Sequence, residues 1–273
     1  MDEEYFIGID IGGTRIKLVL RSKDKILRQK VFSNYSNLSA EKLILKLNVL
    51  ISNFLSLEKV SSSHLFRIGV GVPGIFEKNG TIINLPNLKV LNGVNFKNIF
   101  KSEFGKHVKV KIVNDAQLPY FYYKNNFEIT KMENILFLTL GTSFGCCVCL
   151  NGKLFTNKFN SSEFAHSKVF GNKKTSDFIS KEFLLSGFSG SIRENKENLP
   201  FEKYGEKLGH SISVLHNVFG FDKVVLTGGI CNYKKYFADS CKKSFEKNSY
   251  FDICELEFYT SSFAGAIGAS YLF

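Results

Sequence analysis

The stretch that decides the fold is YFIGIDIGGTRIKLVL, which covers residues 5–20. Residues 5–11 are apolar and β-branched apart from Asp10, and residues 16–20 resume this pattern, so two strands are predicted. Gly12 and Gly13 separate them. Paired glycines let backbone N–H groups approach an anion with no Cβ in the way. The stretch therefore predicts a phosphate-binding turn between two strands, with a plain Gly-Gly hairpin as the alternative.

The side chains around this turn suit the same chemistry. Thr14 adds a hydroxyl donor, and Arg15 and Lys17 add positive charge. Asp10 stands at the end of the first strand, where its carboxylate can hold a magnesium ion directly or through water. The turn is therefore a candidate site for both a phosphate group and its metal ion.

Strand and helix patterns continue through the first half of the chain. A third strand is predicted over residues 26–32. Ser39 then has the properties of an N-cap for an amphipathic helix of about four turns. Two further strands are predicted over residues 68–72 and 108–113. The first 115 residues thus form strands, a helix, a strand, a loop and a strand.

The pattern then starts again. Its predicted elements are strands over residues 135–140 and 146–150, a hairpin turn at Asn151-Gly152, a helix over 201–219, a strand over 224–226 and a small-residue helix over 262–273. Each half opens with a strand, a Gly-Thr turn and a second strand. This repetition predicts a duplicated α/β architecture of two lobes, with a ligand cleft between them.

Two later glycine turns repeat the chemistry of the first. Gly141 and Thr142 occupy the position that the duplication gives to the counterpart of the first turn. Gly228 and Gly229 follow a buried strand and are predicted to pass beneath a nucleotide base or a phosphate chain. The third glycine turn contains no G-x-G-x-x-G or Walker A pattern, so it does not indicate a Rossmann or P-loop protein.

Two polar pairs are candidates for the acceptor side of such a site. Asp115 follows a predicted strand, where a carboxylate can act as the general base for a hydroxyl, and Asn114 can orient that hydroxyl. An ordinary turn or N-cap is the alternative for this pair. Glu163 and His166 are three residues apart, and by themselves they equally fit a surface pair.

Composition excludes several classes of protein. The chain has 273 residues, of which 44% are hydrophobic, so intrinsic disorder is excluded. Six cysteines are too sparse for a disulfide scaffold, and no apolar run approaches the roughly 18 residues of a membrane span. The acidic start, Met-Asp-Glu-Glu, does not fit a signal peptide. A cytoplasmic protein without a membrane partner is expected.

The formal charge of +11 has two interpretations. Lysines are scattered along the whole chain, which is typical of a composition bias that gives a solvated surface. An anionic partner, either nucleic acid or a polyanionic substrate, is the alternative. No block of five or six like charges forms a tail.

The ordered set of motifs resembles the ROK family of sugar kinases, within the actin and hexokinase superfamily. The resemblance covers nearly the whole chain. The residues that carry it are Gly8-Ile9-Asp10-Ile11-Gly12-Gly13-Thr14 with Lys17, Gly71-Val72-Pro73-Gly74, Pro86-Asn87-Leu88, Asn114-Asp115-Ala116, Gly141-Thr142, Glu163 with His166, and Thr227-Gly228-Gly229.

The resemblance implies a fold and a division of the chain. The fold is α/β, a two-lobe actin-like ATPase fold of the ribonuclease H-like kind, with mixed sheets and an interlobe cleft. A small lobe is expected over residues 1–115 and 262–273, and a larger lobe over residues 116–261. A homodimer without nucleic acid is the implied assembly, and a sugar is the implied small-molecule partner.

The resemblance also implies an activity and a role for each residue. ROK kinases transfer a phosphoryl group from a donor to a hexose hydroxyl, so a glucokinase-like enzyme is expected here. Asp115 is the implied base. The implied sugar-binding residues are Gly74, Asn87, Asn114, Asp115, Glu163 and His166. Those implied to bind the donor phosphates, magnesium or the nucleotide are Asp10, Gly12, Gly13, Thr14, Lys17, Gly141, Thr142, Gly228 and Gly229.

The chain lacks one motif of the family, and this absence narrows the resemblance to one branch of it. Most ROK proteins place a cysteine-rich zinc motif after the histidine, but this chain has no cysteine between Leu150 and Ile230. No structural zinc is therefore expected. Cys146, Cys147 and Cys149 lie on a predicted strand as core residues, with Cys147 expected to face away from the other two. The gap is similar to the polyphosphate glucokinase branch, and ATP and polyphosphate remain equal alternatives as donor.

A second reading of the same resemblance is a degenerate ROK protein that binds sugar as a sensor or pseudo-kinase without transferase activity. ROK repressors carry a DNA-binding domain before the first phosphate strand. Because that strand is predicted to begin at Phe6, no such domain is expected. A pseudo-kinase is thus the stronger form of this alternative.

Overall fold

The computed structural model describes residues 4–33, 35, 37–60, 66–85, 88–127, 129, 133–157 and 162–273. The chain forms two compact units. The first comprises Met1–Glu128, Thr156–Ser161 and Phe263–Phe273, and the second comprises Ile129–Phe155 and Ser162–Ser262. No described helix is both long enough and apolar enough to cross a bilayer.

A five-stranded mixed sheet forms the centre of the first unit. In chain order its strands are β1 (Tyr5–Ile11), β2 (Arg15–Arg21), β3 (Ile26–Ser33), β4 (Phe66–Val72) and β7 (Lys109–Asn114), and a small hairpin is formed by β5 (Ile75–Phe76) and β6 (Ile82–Asn84). The spatial order is β3-β2-β1-β4-β7. The strands β1, β4 and β7 are parallel, and β2 is antiparallel to both of its neighbours.

Helices cover both faces of this sheet. They are α1 (Ala40–Leu57), α2 (Phe96–Phe104), α3 (Leu118–Asn126) and α8 (Ala264–Ser270), with 3-10 turns at Lys89–Leu91 and Asp115–Gln117. Leu43, Leu47 and Ile51 of α1 are fully buried in one cluster with Ile7 and Ile9 of β1. Full burial of such a side chain contributes about 1.5–3 kcal/mol. On the other face α8 packs against β1, β2 and β4, and α3 packs against α8.

The second unit repeats this plan. Its strands are β8 (Ile135–Leu140), β9 (Phe144–Leu150), β10 (Lys153–Leu154), β11 (Lys223–Thr227) and β12 (Glu255–Phe258). Its helices are α4 (Lys181–Leu184), α5 (Ile192–Asn195), α6 (Phe201–Phe219) and α7 (Ala238–Asn248), with 3-10 segments at Phe164–His166, Thr175–Asp177 and Gly229–Tyr236. Leu208 and Ile212 of α6 pack in the core with Leu136 and Leu138 of β8.

The two sheets have the same topology, as the duplication predicts. The order of the second is β10-β9-β8-β11-β12. Its strands β8, β11 and β12 are parallel, and β9 is antiparallel to β8 and β10. Each unit thus presents one sheet edge where its parallel strands end. Loops at such edges are where α/β proteins bind ligands.

The division of the chain differs from the predicted one near residue 115. The first unit continues through α3, because Leu118 lies directly behind Gly71 of β4 and Gly268 of α8. The predicted boundary at residue 115 is the point where the strand patterns of the first half end. Helix α3 instead belongs with the sheet on which it packs.

The turn after β8 is shorter than predicted. Strand β9 begins at Phe144, opposite Leu140, so the loop consists of residues 141–143 only. The Phe144 side chain is buried in the second core and is not part of the turn.

The prediction that Cys147 faces away from both neighbouring cysteines is wrong. Side chains alternate along a strand, so Cys147 and Cys149 share one face of β9. Cys146 lies on the other face and packs with Val148 in the second core. Burial, followed by the nearby charge of Glu163, raises the pKa of the Cys146 thiol to about 12. This thiol is therefore protonated at neutral pH.

Candidate functional site

Four of the predicted site residues lie at one edge of the first sheet. Because β1, β4 and β7 are parallel, their carboxyl ends meet there. Asp10 pairs in register with Gly71, and Val72 pairs with Asn114. Gly74 and Asp115 follow directly on the ends of β4 and β7. The strand order thus brings Asp10, Gly74, Asn114 and Asp115 to the same edge.

Asn114 fastens two of these strand ends to each other. Its side-chain Nδ2 donates to the carbonyl O of Gly74 at 3.2 Å, and its Oδ1 accepts from the N–H of Ala116 at 3.0 Å. Asn114 is 4% exposed, so these bonds are shielded from water. They cap the 3-10 turn that begins with Asp115, and they fix the backbone of that half-buried carboxylate.

Gly74 has no room for a side chain. A Cβ there would lie 2.1 Å from the carbonyl O of Asn84. The backbone after β4 therefore runs in contact with the end of β6. This close approach puts the Gly74 carbonyl within reach of the Asn114 amide. Asn87, the remaining predicted sugar-binding residue of this unit, lies outside the described residues.

Asp10 is a half-buried carboxylate at the end of β1, opposite a lysine on β2. Burial raises its pKa, and the charge of Lys17, directly opposite on β2, partly opposes this rise. Its Oδ2 lies against Gly265, where a Cβ would be 2.3 Å away. Magnesium in phosphate-binding sites takes one or two carboxylates and completes its shell with phosphate oxygens and water. One half-buried carboxylate fits that requirement.

Both polar groups of the Gly12 backbone are occupied in the first glycine turn. Its N–H donates to the carbonyl O of Arg15 at 3.0 Å, which closes the turn. Its carbonyl accepts a hydrogen bond from the hydroxyl of Tyr35, a side chain that is 1% exposed. Thr14 is exposed at the tip. Gly12 thus shapes the turn, and its neighbours present donors to a ligand.

The second glycine turn is built in the same way. The N–H of Gly141 donates to the carbonyl O of Ser143 at 2.9 Å, and its carbonyl accepts from the N–H of Lys181 at 3.0 Å. Thr142 and Ser143 are exposed. In both turns the first glycine is locked by hydrogen bonds, while hydroxyl side chains lie at the surface.

The third glycine turn packs directly on the second. Strands β8 and β11 are parallel, with Thr139 opposite Thr227. Gly228 has φ +101° and ψ 176°, and a Cβ there would lie 2.3 Å from the carbonyl O of Leu140. Gly141, Thr142, Gly228 and Gly229 are therefore brought together at one edge of the second sheet.

Glu163 and His166 form a pair on a 3-10 turn of the second unit. Glu163 Oε2 and His166 Nε2 are 3.6 Å apart, and the side chains are 46% and 54% exposed, respectively. Between them Ala165 is buried in the second core, which anchors the turn. Both side chains are exposed to solvent, and their polar groups lie close to each other.

Two residues that support the glycine turns were not found from the sequence. Tyr35 lies 23 residues from Gly12, and Lys181 belongs to a polar stretch far from Gly141. Neither has a local pattern that marks it. Within the described residues, no three or more histidine, cysteine, aspartate or glutamate side chains are grouped closely enough to hold a metal ion by themselves.

Comparison with known proteins places these features in a family. The model of the ROK family matches residues 6–176, which is more than half of the chain. This match contains the first and second glycine turns, the Asn114-Asp115 pair and the Glu163–His166 pair.

Two relatives with assigned roles differ in kind. The xylose repressor of Caldicellulosiruptor bescii is 23% identical over 292 residues, a match that covers 91% of this chain and 72% of the repressor. The kanosamine kinase of Amycolatopsis mediterranei is 26% identical over 152 residues, which is 56% of this chain and 48% of the kinase. The relatives thus include both a kinase and a repressor.

Solved structures confirm the predicted fold. A ROK family glucokinase from Streptomyces griseus, in complex with glucose and AMPPNP, matches with TM-score 0.76 at 18% identity, covering 98% of each chain. An inorganic polyphosphate/ATP-glucomannokinase from Arthrobacter sp. strain KM matches with TM-score 0.73 at 19% identity, covering 98% of this chain and 97% of the other. The fold is the mixed-sheet α/β fold of the actin-like ATPases.

Proposed function

Because this chain belongs to the ROK family, we propose that it is a hexose kinase of the glucokinase kind, which transfers a phosphoryl group from ATP or polyphosphate to a sugar hydroxyl. The observation that carries the proposal is the hydrogen bond from Asn114 to Gly74. It holds Asp115 at the sheet edge that also contains the half-buried carboxylate of Asp10.

On this proposal Asp115 is the general base. It accepts the proton of the attacking sugar hydroxyl as the bond to phosphorus forms, a role worth roughly 10²- to 10⁴-fold in rate. Asn114, Gly74 and Asn87 bind the sugar beside it. Glu163 and His166 supply an acceptor and a donor for further sugar hydroxyls.

The glycine turns bind the phosphoryl donor. The residues proposed to contact the donor phosphates are Gly12, Gly13, Thr14, Lys17, Gly141 and Thr142. Gly228 and Gly229 lie alongside the donor. Asp10 would hold magnesium, directly or through water, and a bound ion would supply charge neutralisation for the donor phosphates. Phosphoryl transfer depends on positioning and charge neutralisation, which these backbone groups and cations supply.

Two donors are proposed as alternatives. The glucokinase structure contains AMPPNP, which is an analogue of ATP. The glucomannokinase is named for both inorganic polyphosphate and ATP. The formal charge of +11 suits a long polyanion. The absence of cysteines between Leu150 and Ile230 supports the polyphosphate branch. Parallel assays with each donor decide between them.

A second candidate function is sugar binding without transfer. The similarity to a xylose repressor over 91% of this chain favours it, because a repressor named for a sugar has a role other than phosphoryl transfer. This candidate predicts that a hexose or pentose stabilises the protein against heat while neither donor supports turnover.

The test is a coupled assay of the wild-type chain with glucose, mannose, fructose, N-acetyl sugars and xylose, using ATP with magnesium or polyphosphate with magnesium. Asp115→Asn is compared with Asp24→Asn, the same change at an exposed turn carboxylate. The kinase proposal expects turnover of at least one hexose, a fall of about 100-fold or more in Asp115→Asn, and no change in Asp24→Asn. Full activity in Asp115→Asn, or no turnover with any pair, rejects it.

A further inference from the structure

The stretch Glu163–Lys181 is called the acceptor segment below, because it carries Glu163 and His166. Thr175 joins two parts of this segment. Its N–H and its Oγ1 both donate a hydrogen bond to the carbonyl O of Ser167, each at 2.8 Å. At its end the N–H of Lys181 donates to Gly141 in the second glycine turn. One continuous segment therefore connects the proposed sugar-binding pair to a proposed phosphate turn.

The outer side of the acceptor segment is held by aromatic contacts. The rings of Phe170 and Phe178 meet edge to face, with centroids 5.3 Å apart. The Phe170 ring also contacts His210 of α6, with centroids 5.3 Å apart. All three side chains are only partly buried, and Phe178 also packs against the second core.

Lys207 of α6 is directed at both phenylalanine rings. Its Nζ lies 4.5 Å from the centroid of Phe170 and 5.2 Å from that of Phe178. The neighbouring Leu208 is fully buried, so the helix that carries Lys207 is anchored in the second core. One cation on a helix anchored in the core thus attracts two rings of the acceptor segment, which the buried residues Ala165, Thr175 and Ile179 also hold.

The space next to these rings makes that attraction important. A hollow of about 660 Å³ lies beside Phe170, lined also by Lys207, His210 and residues of α7 such as Lys243 and Lys247. A ring at the edge of such a hollow has room to move. The ammonium group of Lys207 adds an attraction to the packing contacts of this ring.

We propose that Lys207 is a positioning residue for the acceptor sugar. By attracting Phe170 and Phe178, it holds the acceptor segment in the conformation in which Glu163 and His166 bind sugar hydroxyls. Lys207 itself does not touch the reacting atoms. This inference rests on the proposed function for its kinetic consequence, and it concerns only the acceptor side of the site.

The test compares Lys207→Met, which keeps the length of the side chain and removes its charge, with Lys207→Arg, which restores a cation over the rings. Lys203→Met, an exposed lysine one turn earlier on α6, is the matched control. Amide hydrogen exchange over residues 163–178 is measured by mass spectrometry. The KM for glucose and for each donor, and kcat, are measured on the same proteins, with calorimetric glucose binding in parallel.

Lys207→Met is expected to exchange faster over residues 163–178 and to raise the glucose KM and dissociation constant about 3- to 10-fold, with donor KM and kcat nearly unchanged. Lys207→Arg and Lys203→Met are expected to match the wild type. Unchanged exchange in Lys207→Met, or unchanged glucose affinity beside faster exchange, overturns the proposal. A wild-type chain without any turnover rejects the kinase proposal, while exchange and calorimetry still decide the role of Lys207.

Discussion

The side-chain amide of Asn114 donates a hydrogen bond to the carbonyl O of Gly74 at 3.2 Å, and this bond joins the end of β7 to the end of β4. The same side chain caps the 3-10 turn that starts at Asp115. Both bonds are buried, so the position of Asp115 depends on the side-chain amide of Asn114, whose Nδ2 and Oδ1 make different hydrogen bonds. One end is a donor to a neighbouring strand, and the other is an acceptor for the chain that follows.

Asn114→Asp tests that dependence. Aspartate keeps the oxygen that caps Ala116 but replaces the donor to Gly74 with an oxygen, which leaves a buried carbonyl without its partner. We expect a loss of about 1–3 kcal/mol in the free energy of unfolding and a fall of about tenfold or more in kcat/KM for the sugar. Chemical denaturation measures the free energy of unfolding, and steady-state kinetics measure kcat/KM.

Asn126→Asp is the control for this change. Asn126 also donates its side-chain amide to a backbone carbonyl, that of Tyr122 at 2.7 Å, but the bond is exposed to water. We expect little change in either quantity. Equal effects of the two substitutions would show that the Asn114 bond has no special importance.

Asp10 makes stability depend on pH in a direction opposite to that of a salt-bridged aspartate. Its pKa is raised in the folded state, mainly by burial. The folded protein therefore binds this proton more tightly than the unfolded chain, and stability decreases as pH rises from the ordinary aspartate range through the raised value. Asp10→Asn removes this dependence, so without magnesium it becomes more stable relative to the wild type as pH rises.

Melting temperatures from pH 4 to pH 8, with and without magnesium and a donor, measure the Asp10 effect. Magnesium with the donor is expected to stabilise the wild type and not Asp10→Asn, because ligand binding to the folded state adds stability. Asp24→Asn, at an exposed turn, should behave as the wild type does. A melting-temperature difference that is constant over this pH range would contradict the assignment.

Much of this fold was predictable because its central elements carry continuous local patterns. The strand β1, the strand β8 and the helix α6 occupy the residues predicted for them. Asn151 and Gly152 both have positive φ, as their hairpin signal requires. Helix α7 was not found, because only Cys241 and Phe245 among its eleven residues are buried and its apolar pattern is sparse.

The candidate site was predictable where strand ends determine it and not where distant side chains do. Asp10 and Asp115 follow strands of one parallel set, so their shared edge follows from topology. The hydrogen bond from Tyr35 to Gly12 and the one from Lys181 to Gly141 join residues far apart in the chain. Such contacts depend on how loops pack, and no periodic pattern records them.

Tyr35→Phe is expected to weaken donor binding while leaving sugar binding unchanged. The change leaves the Gly12 carbonyl without its buried donor, at a cost of about 1–3 kcal/mol. Burial, and then the charge of Asp10, raise the pKa of Tyr35 to about 12. The phenol therefore stays protonated, and its contribution is constant from pH 6 to pH 9 and is lost only as pH rises through that value.

The donor KM, the sugar KM and the melting temperature measured over that pH range test the role of Tyr35. Tyr250→Phe is the control, since that side chain is 87% exposed. A rise in the sugar KM equal to the rise in the donor KM would contradict a role confined to the first glycine turn.

Gly228 and Gly229 are adjacent glycines with opposite tolerance for a side chain. Gly228 has φ +101° and ψ 176°, a conformation that is almost confined to glycine, and a Cβ there would meet the Leu140 carbonyl at 2.3 Å. At Gly229 nothing lies within 4 Å of a Cβ. We expect Gly228→Ala to lose about 3 kcal/mol or more of stability, because backbone strain and a clash with a backbone atom combine. Gly229→Ala should unfold at the same urea concentration as the wild type. Equal midpoints for the two variants would show that β11 does not end against Leu140 as described.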